Sequence, residues 1–364
     1  MKKILFIIIT LQQGGAERQT VTVACALKRK GYNVNVLSFG KGDFYGHLLQ
    51  SAEVPFFTVF GNQFQRAMKV RHFVRKGNYD VVISMTDTPN FTNDFAAFGG
   101  KSWKVIEGLR ETPSVNTFSG IRGKIYNWFH IFADIIVSNS LNASNVWIQF
   151  RPQDKEKLRV IYNIVNLQPI NSVYFPKRDG RLHILMAARY DSVKNGINIV
   201  EAINKMSSAD RCKVKIDWYG KKYLNANVQK MEYDFLSSKI IKYGLEDEFS
   251  LNDETSDIAS RMYEADAVGI FSKREGLPNA ICEGMMMGKP IIMTRVSDYK
   301  ALVNDSNGVL CDWDNPDSIK DAILQLSNFE EEKLKCLGEI SKQKALAYFA
   351  EDNVIKQWIK VIES

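Results

Sequence analysis

Glu275 and Glu283 stand eight residues apart in Arg274-Glu275-Gly276-Leu277-Pro278-Asn279-Ala280-Ile281-Cys282-Glu283-Gly284. Gly276 to Pro278 reads as a loop, and a helix is predicted to open near Asn279. A loop running into a helix start offers backbone N–H groups without intrahelical partners and a positive dipole end, which suits a diphosphate. Carboxylates beside such a site accept hydrogen bonds from sugar or ribose hydroxyls. Together these features suggest a pocket for a nucleotide sugar. The plain alternative is two solvated surface carboxylates, a spacing that chance produces often.

A second group lies in Ala187-Ala188-Arg189-Tyr190-Asp191-Ser192-Val193-Lys194-Asn195-Gly196. Arg189 and Lys194 fall just past a predicted strand. Two cations there can hold a diphosphate and stabilise the charge that grows on it as a glycosidic bond breaks. In isolation they read equally as ordinary solvated basic residues. A third group is Leu11-Gln12-Gln13-Gly14-Gly15-Ala16-Glu17, between the first predicted strand and helix. Tandem glycines permit close backbone approach, and the helix start favours anions. A simple strand-to-helix turn fits as well. The dinucleotide fingerprint G-x-G-x-x-G is absent.

The elements that must carry these groups alternate strand and helix, which predicts parallel α/β domains. In the first half, strands are predicted over Lys3–Thr10, Asn33–Phe39, Asp80–Met85, Lys104–Glu107, Ile135–Ser138 and Leu158–Tyr162. Helices are predicted over Ala16–Lys30, Gln65–Lys76 and Ser140–Phe150. Residues 166–181, with Pro169 and Pro176, lack periodicity and read as a linker after a first domain of 1–165. The pattern then restarts as a second domain over 182–345. Its strands are Leu182–Ala188, Lys213–Tyr219, Phe249–Leu251, Ala267–Phe271, Pro290–Thr294 and Gly308–Cys311. Its helices are Gly196–Met206, Asn227–Tyr243, Ile258–Glu264, Ala280–Met287 and Pro316–Leu326, and the remainder from Glu330 is helical. Two such domains facing each other leave a cleft at the carboxyl ends of both sheets, where open α/β folds bind ligands.

Bulk properties agree with two globular domains in 364 residues, 45% of them hydrophobic and 24% charged. No apolar run reaches the roughly 18 residues that span a bilayer. Met1 to Leu11 is basic and then apolar, but it reads better as a buried parallel strand than as a signal peptide. Five scattered cysteines argue against a disulfide framework and a zinc site, and fit a reducing compartment. Residues 1–165 carry 21 Lys/Arg against 11 Asp/Glu, whereas residues 166–364 carry 27 against 30. The basic half should face something anionic. Phe118 to Phe132 interleaves aromatic and apolar residues with Arg122 and Lys124, and Gln65 to Lys76 is a basic helix. Both suit an anionic membrane surface, and both also fit amphipathic helices with a core side and a solvated side. No nucleic-acid motif is present.

Ser272 to Thr294, Arg189 with Lys194, and Gly14-Gly15-Ala16-Glu17 together closely resemble the retaining glycosyltransferases of family four, which have two Rossmann-like domains (the GT-B type). The resemblance runs over nearly the whole chain and is strongest over 182–326. It implies transfer of a hexose or N-acetylhexosamine from a nucleotide diphosphate sugar, UDP-linked, to a saccharide acceptor on a polyprenyl diphosphate, as in surface polysaccharide synthesis. Arg189 and Lys194 would clamp the diphosphate and Glu275 would contact the sugar. Gly276, Leu277, Pro278 and Asn279 would add backbone donors, and Glu283 would hold the ribose. Gly14, Gly15 and Glu17 would lie over the donor, with Glu17 alternatively serving its own helix N-terminus. The last helix, Asn353–Glu363 within 346–364, would return to the first domain. The enzyme would be cytoplasmic or peripheral at the inner membrane face. It would need no metal and no cofactor, since Asp312-Trp313-Asp314 sits in a distal turn.

Two departures stand out. Ala188 replaces the family's usual Gly before the Arg. The region Ile106 to Pro113 lacks the His that many relatives use toward the sugar, and offers Arg110 and Glu111 as acceptor-side or sugar-side candidates instead. Two rival readings are a nucleotide-sugar epimerase of similar architecture, for which this His-poor chain offers few acid/base groups, and a non-enzymatic polyanion-binding protein.

Overall fold

The computed structural model describes residues 1–40, 42–167, 176–177, 179–222 and 228–364, without the side chains of 115–116 and 228–230. Most of the predicted linker, including Pro169, lies outside the described residues, as does Asn227. The chain forms two compact units, Met1–Ile164 with Glu351–Ser364, and Val165–Ala350.

The first unit holds strands β1 (Lys3–Ile8), β2 (Asn33–Ser38), β3 (Phe56–Thr58), β4 (Val81–Met85), β5 (Lys104–Leu109), β6 (Ile135–Ser138) and β7 (Leu158–Val160). They pair in the order β3-β2-β1-β4-β5-β6-β7, and every pairing is parallel. The continuous apolar run of β1 follows from burial on both faces. Ile4, Phe6 and Ile8 enter one core, and Leu5 and Ile7 enter another. The final helix, Glu351–Glu363, belongs to this unit and places Val354, Ile355, Trp358 and Ile362 in the first of these cores. Arg29 and Lys30 at the end of helix Gly15–Arg29 pair with Glu351 and Asp352.

The second unit holds β8 (Leu182–Ala187), β9 (Val214–Tyr219), β10 (Phe249–Asn252), β11 (Ala267–Ile270), β12 (Ile291–Thr294) and β13 (Gly308–Cys311). The order is β10-β9-β8-β11-β12-β13, again all parallel. In both units the first strand lies between its successor and a later strand, so the winding direction reverses there. The switch points are β1/β4 and β8/β11. Ligands of open α/β sheets bind outside the strand carboxyl ends at such points.

The predicted strands are all present, with ends shifted by at most two residues. Elements that were not predicted include the edge strand β3 and the helices Asp87–Ala97, Gly46–Ser51, Ser208–Arg211 and Tyr299–Leu302. The first of these helices has polar residues on its buried side. Asn90 donates to the Gly108 carbonyl, and Asn93 donates to the Val82 carbonyl and to Ser84 Oγ. Burial satisfied by hydrogen bonds to the sheet leaves no hydrophobic periodicity to read.

Candidate active site

In the second unit the two loops at the switch point carry the predicted groups. Lys194 ends a short 3-10 turn, Ser192–Lys194, after β8. Glu275 lies in the loop after β11, ahead of helix Asn279–Met286. Lys194 Nζ is 2.5 Å from Glu275 Oε1, with the two side chains only 16% and 13% exposed. The backbone enforces this meeting, because the Lys273 amide donates to the Val193 carbonyl at 2.8 Å. The Thr294 hydroxyl holds the Ser272 carbonyl at 2.7 Å, and the Ser297 hydroxyl donates to that of Gly276. The loop after β8 is anchored from below by Tyr190, whose hydroxyl lies 2.8 Å from the Trp218 carbonyl and 2.7 Å from that of Asn252.

Arg189 stands apart from this pair. Its side chain is 59% exposed, and its guanidinium is 3.8 Å from Asp191. It therefore costs little to turn toward an anion, whereas Lys194 is held. Glu283 lies in the second turn of helix Asn279–Met286 and is 9% exposed. That helix sits close on β11 because Gly284 has no side chain: a Cβ there would be 2.6 Å from Val268 Cβ. Gly276, Leu277 and Pro278 form the approach to the helix. The Pro278 carbonyl accepts from the amides of Ile281 and Cys282, and the helix start is directed at the loop that carries Glu275.

In the first unit, Gly14 is the N-cap of helix Gly15–Arg29, at the β1/β4 switch point. Its backbone is extended. A Cβ on Gly14 would lie 2.2 Å from Glu17 Oε2, so the Glu17 carboxylate folds back over the helix N-terminus. Thr86, directly after the neighbouring strand β4, has a φ of 76°, which is rare for a β-branched residue. Backbone outliers of this kind concentrate at functional sites, and nothing in the local sequence signals this one.

Arg110 and Glu111 follow β5. Arg110 turns inward within the first unit, where Nη2 lies 2.9 Å from Met85 Sδ and Nη1 donates to Asn163 Oδ1 at 3.3 Å. Its guanidinium sits 5.9 Å from the Trp358 ring. Burial draws its pKa down to about 10. Glu111 is exposed.

Beneath this loop the structure assembles a cluster that the sequence did not indicate. Glu107 of β5, Asp94 of helix Asp87–Ala97 and His130 are all buried. These residue types can hold a metal ion. However, His130 Nδ1 lies 2.9 and 2.7 Å from the two Glu107 oxygens and 3.6 Å from Asp94 Oδ2. The shorter separations are hydrogen-bond distances, whereas two ligands of one tetrahedral zinc sit roughly 3.3 Å apart. The His130–Glu107 hydrogen bond joins two of the groups, and Asp94 lies at its edge. Burial, reinforced by the Glu107 charge, raises the Asp94 pKa well above the carboxylate range. Burial alone would raise that of Glu107 too, but the His130 charge and hydrogen bonds from His130 and Asp94 bring it below its ordinary value.

Two Rossmann-like parallel sheets, with basic, acidic and helix-start groups at a switch point, define the GT-B class of architecture. Residues 13–169 match the family model described as Glycosyltransferase Family 4, and residues 170–344 match that of Glycosyl transferases group 1. The chain belongs to the family-four type of glycosyltransferases built from these two segments. An uncharacterised glycosyltransferase of Haemophilus influenzae is 25% identical over 98% of this chain and 99% of its own length. A Campylobacter jejuni α-1,4-N-acetyl-D-galactosaminyltransferase, named for an undecaprenyl-diphosphate-linked saccharide, is 33% identical over 29% of this chain. An uncharacterised glycosyltransferase of Methanocaldococcus jannaschii is 39% identical over 24% of it. The matched stretches span 32% and 25% of those last two relatives. Among solved structures, Anabaena HepE in complex with UDP superposes with a TM-score of 0.85 at 19% identity, over 99% of both chains. The lipopolysaccharide outer core galactosyltransferase WaaB gives 0.78 at 16% identity, over 99% of both chains.

Proposed function

We propose that this chain is a retaining, metal-independent glycosyltransferase that moves a hexose or N-acetylhexosamine from a UDP-linked donor to a saccharide carried on a polyprenyl diphosphate. The observation that carries the reading is the convergence of Lys194 and Glu275 on the β8/β11 switch point, beside the opening of helix Asn279–Met286. Solved HepE structures hold UDP and UDP-glucose, which supports a uridine nucleotide. The name of the Campylobacter relative supports a carrier-linked acceptor and surface polysaccharide synthesis.

In this mechanism Glu283 accepts the two ribose hydroxyls, and the amides at the helix start hold the diphosphate. Lys194 and Arg189 stabilise the charge on the departing phosphate oxygen as the bond from it to the anomeric carbon breaks. Glu275 orients the sugar and also fixes the Lys194 ammonium. The acceptor oxygen bonds to the anomeric carbon on the face that the phosphate leaves, and its proton passes to that phosphate oxygen. The configuration is thereby retained without a covalent enzyme intermediate. The loops at Gly14, Gly15 and Glu17, and at Glu111, are assigned to the donor's far side and the acceptor. Arg110 acts by positioning that loop.

Binding and slow hydrolysis across a panel of nucleotide sugars test this, with wild type and Glu283→Ala side by side. One donor should bind and turn over, and the variant should weaken it about 10–100-fold through loss of two charge-assisted hydrogen bonds. Failure of every nucleotide sugar and nucleoside diphosphate to bind wild type would overturn the assignment and favour a polyanion-binding protein.

A further inference from the structure

Helix Gly120–Phe129 is apolar on two sides. Its inner side packs on helix Asp87–Ala97: Tyr126 stacks on Phe91 at 4.3 Å between ring centroids, and Phe129 meets Phe91 at 5.1 Å. Its outer side repeats apolar residues at i, i+4 and i+7. Ile121 is 82% exposed, Ile125 45% and Trp128 52%. The outer stripe continues beyond the helix, because Trp128 contacts the half-exposed Phe98 and is followed by the half-exposed Ile131. A helix face of this kind facing water is unfavourable unless something covers it.

The charge on this helix and on its neighbour is of one sign. Arg122 and Lys124 flank the stripe, and residues 112–133 contain no Asp or Glu. Helix Gln63–Lys76 adjoins this one through a 2.7 Å hydrogen bond from Gln63 to the Tyr126 hydroxyl. It also lacks acidic residues, carries five Lys/Arg, and exposes Phe64 and Met68. An apolar stripe on helices whose own charges are all cationic, with Asp134 neutralised by Lys101 at its edge, matches the interface of an anionic bilayer, with side chains in the acyl boundary and cations among headgroup phosphates. A second copy of the same face would oppose like charges.

We infer that the outer face of helix Gly120–Phe129, with Phe98 and Ile131, is a docking surface for an anionic lipid bilayer, with Trp128 and Ile125 as its inserted anchors and Arg122 and Lys124 as its phosphate contacts. The inference deepens the reading of a carrier-linked acceptor, yet it stands on the first unit alone. The predicted donor groups Lys194, Glu275 and Glu283 lie in the second unit, so donor binding and lipid binding fail separately.

Co-sedimentation of the full chain tests it, with vesicles of phosphatidylcholine alone and of phosphatidylcholine with about one-third phosphatidylglycerol, at roughly 0.1 M salt. Wild type should pellet with the anionic vesicles and be released by high salt. The double variant Ile125→Ser/Trp128→Ser should partition about tenfold or more weakly. Arg122→Gln/Lys124→Gln should lose the preference for anionic lipid. Far-UV circular dichroism and thermal unfolding of both variants should match wild type, which shows that the first unit folds, and UDP binding should be unchanged. No pelleting of wild type with anionic vesicles, or equal pelleting of wild type and the serine variant, would overturn the inference. So would concentration-dependent self-association without lipid that the serine variant abolishes, because the face would then belong to a second copy.

Discussion

Neutralising either partner of the Lys194–Glu275 pair should separate its two roles. At 2.5 Å, an effective dielectric constant near 20 gives a gross attraction of about 7 kcal/mol. Desolvation of both groups offsets most of that, leaving a net coupling of about 2 kcal/mol for a pair mostly removed from solvent. Lys194→Met and Glu275→Gln should therefore each destabilise the second unit by about 2 kcal/mol. The double variant should lose less than the sum of the two. Chemical denaturation of the four proteins measures this cycle. Turnover of the donor should behave differently, because in the proposed mechanism both groups act on the substrate. Each single variant should fall by about 10²–10³-fold, and the double variant should not recover. Recovery of turnover together with stability would mean that the pair is only a structural bridge. Single variants within about 0.5 kcal/mol of wild type, with no coupling, would refute the geometry itself.

Two further substitutions probe the frame around the site. Lys289 is buried, donates to the Tyr263 carbonyl, and has its pKa drawn down to about 7 by burial, partly opposed by Asp266. The unfolded chain holds the Lys289 proton up to about pH 10.4, so wild-type stability should rise between pH 7 and 10. Lys289→Met should be more stable than wild type by about 1–3 kcal/mol at pH 6, with the difference shrinking toward pH 10; a pH-independent difference in thermal unfolding would contradict the burial argument. Gly284→Ala sets helix propensity, worth about 1 kcal/mol in favour, against overpacking on Val268 that costs about 1–3 kcal/mol. The variant should be less stable in denaturant titration and bind the donor more weakly through displacement of Glu283; a stabilised variant would show that the helix has room to lift.

What was legible in the sequence follows from what burial leaves as a pattern. β1 and β4 are covered on both faces, so their apolar runs Ile4–Ile8 and Val81–Ile83 mark them without tertiary information. Loop residues after β8 and β11 were placed by grammar alone, since a strand, a short polar segment and a helix start define a carboxyl edge wherever they occur. That reasoning reached Arg189, Lys194, Glu275 and Glu283, but not the ion pair between the middle two, which depends on β8 and β11 being neighbours although 79 residues separate their ends at Ala187 and Ala267 in first and last approach.

Asp94, Glu107 and His130 show the opposite case. They come from a helix, a strand and a 3-10 turn, and each alone resembles an ordinary surface residue. Their meaning lies in a three-way contact that no local spacing encodes. Arg110 was read correctly as following a strand, but the strand alone could not say which way its side chain turns. Contacts with Met85, Asn163 and Trp358 decide that, and Trp358 arrives from the far end of the chain. A carboxylate cluster under the Arg110–Glu111 loop and an inward guanidinium beside it thus fix the loop from two directions. Specificity changes in this region should accordingly follow substitutions at Glu111, which faces solvent; substitutions at Glu107 act first on the stability of the first unit, because removing one member of a buried charged set leaves the others unmatched, and substitutions at Arg110 do so by emptying the space against Met85, Asn163 and Trp358.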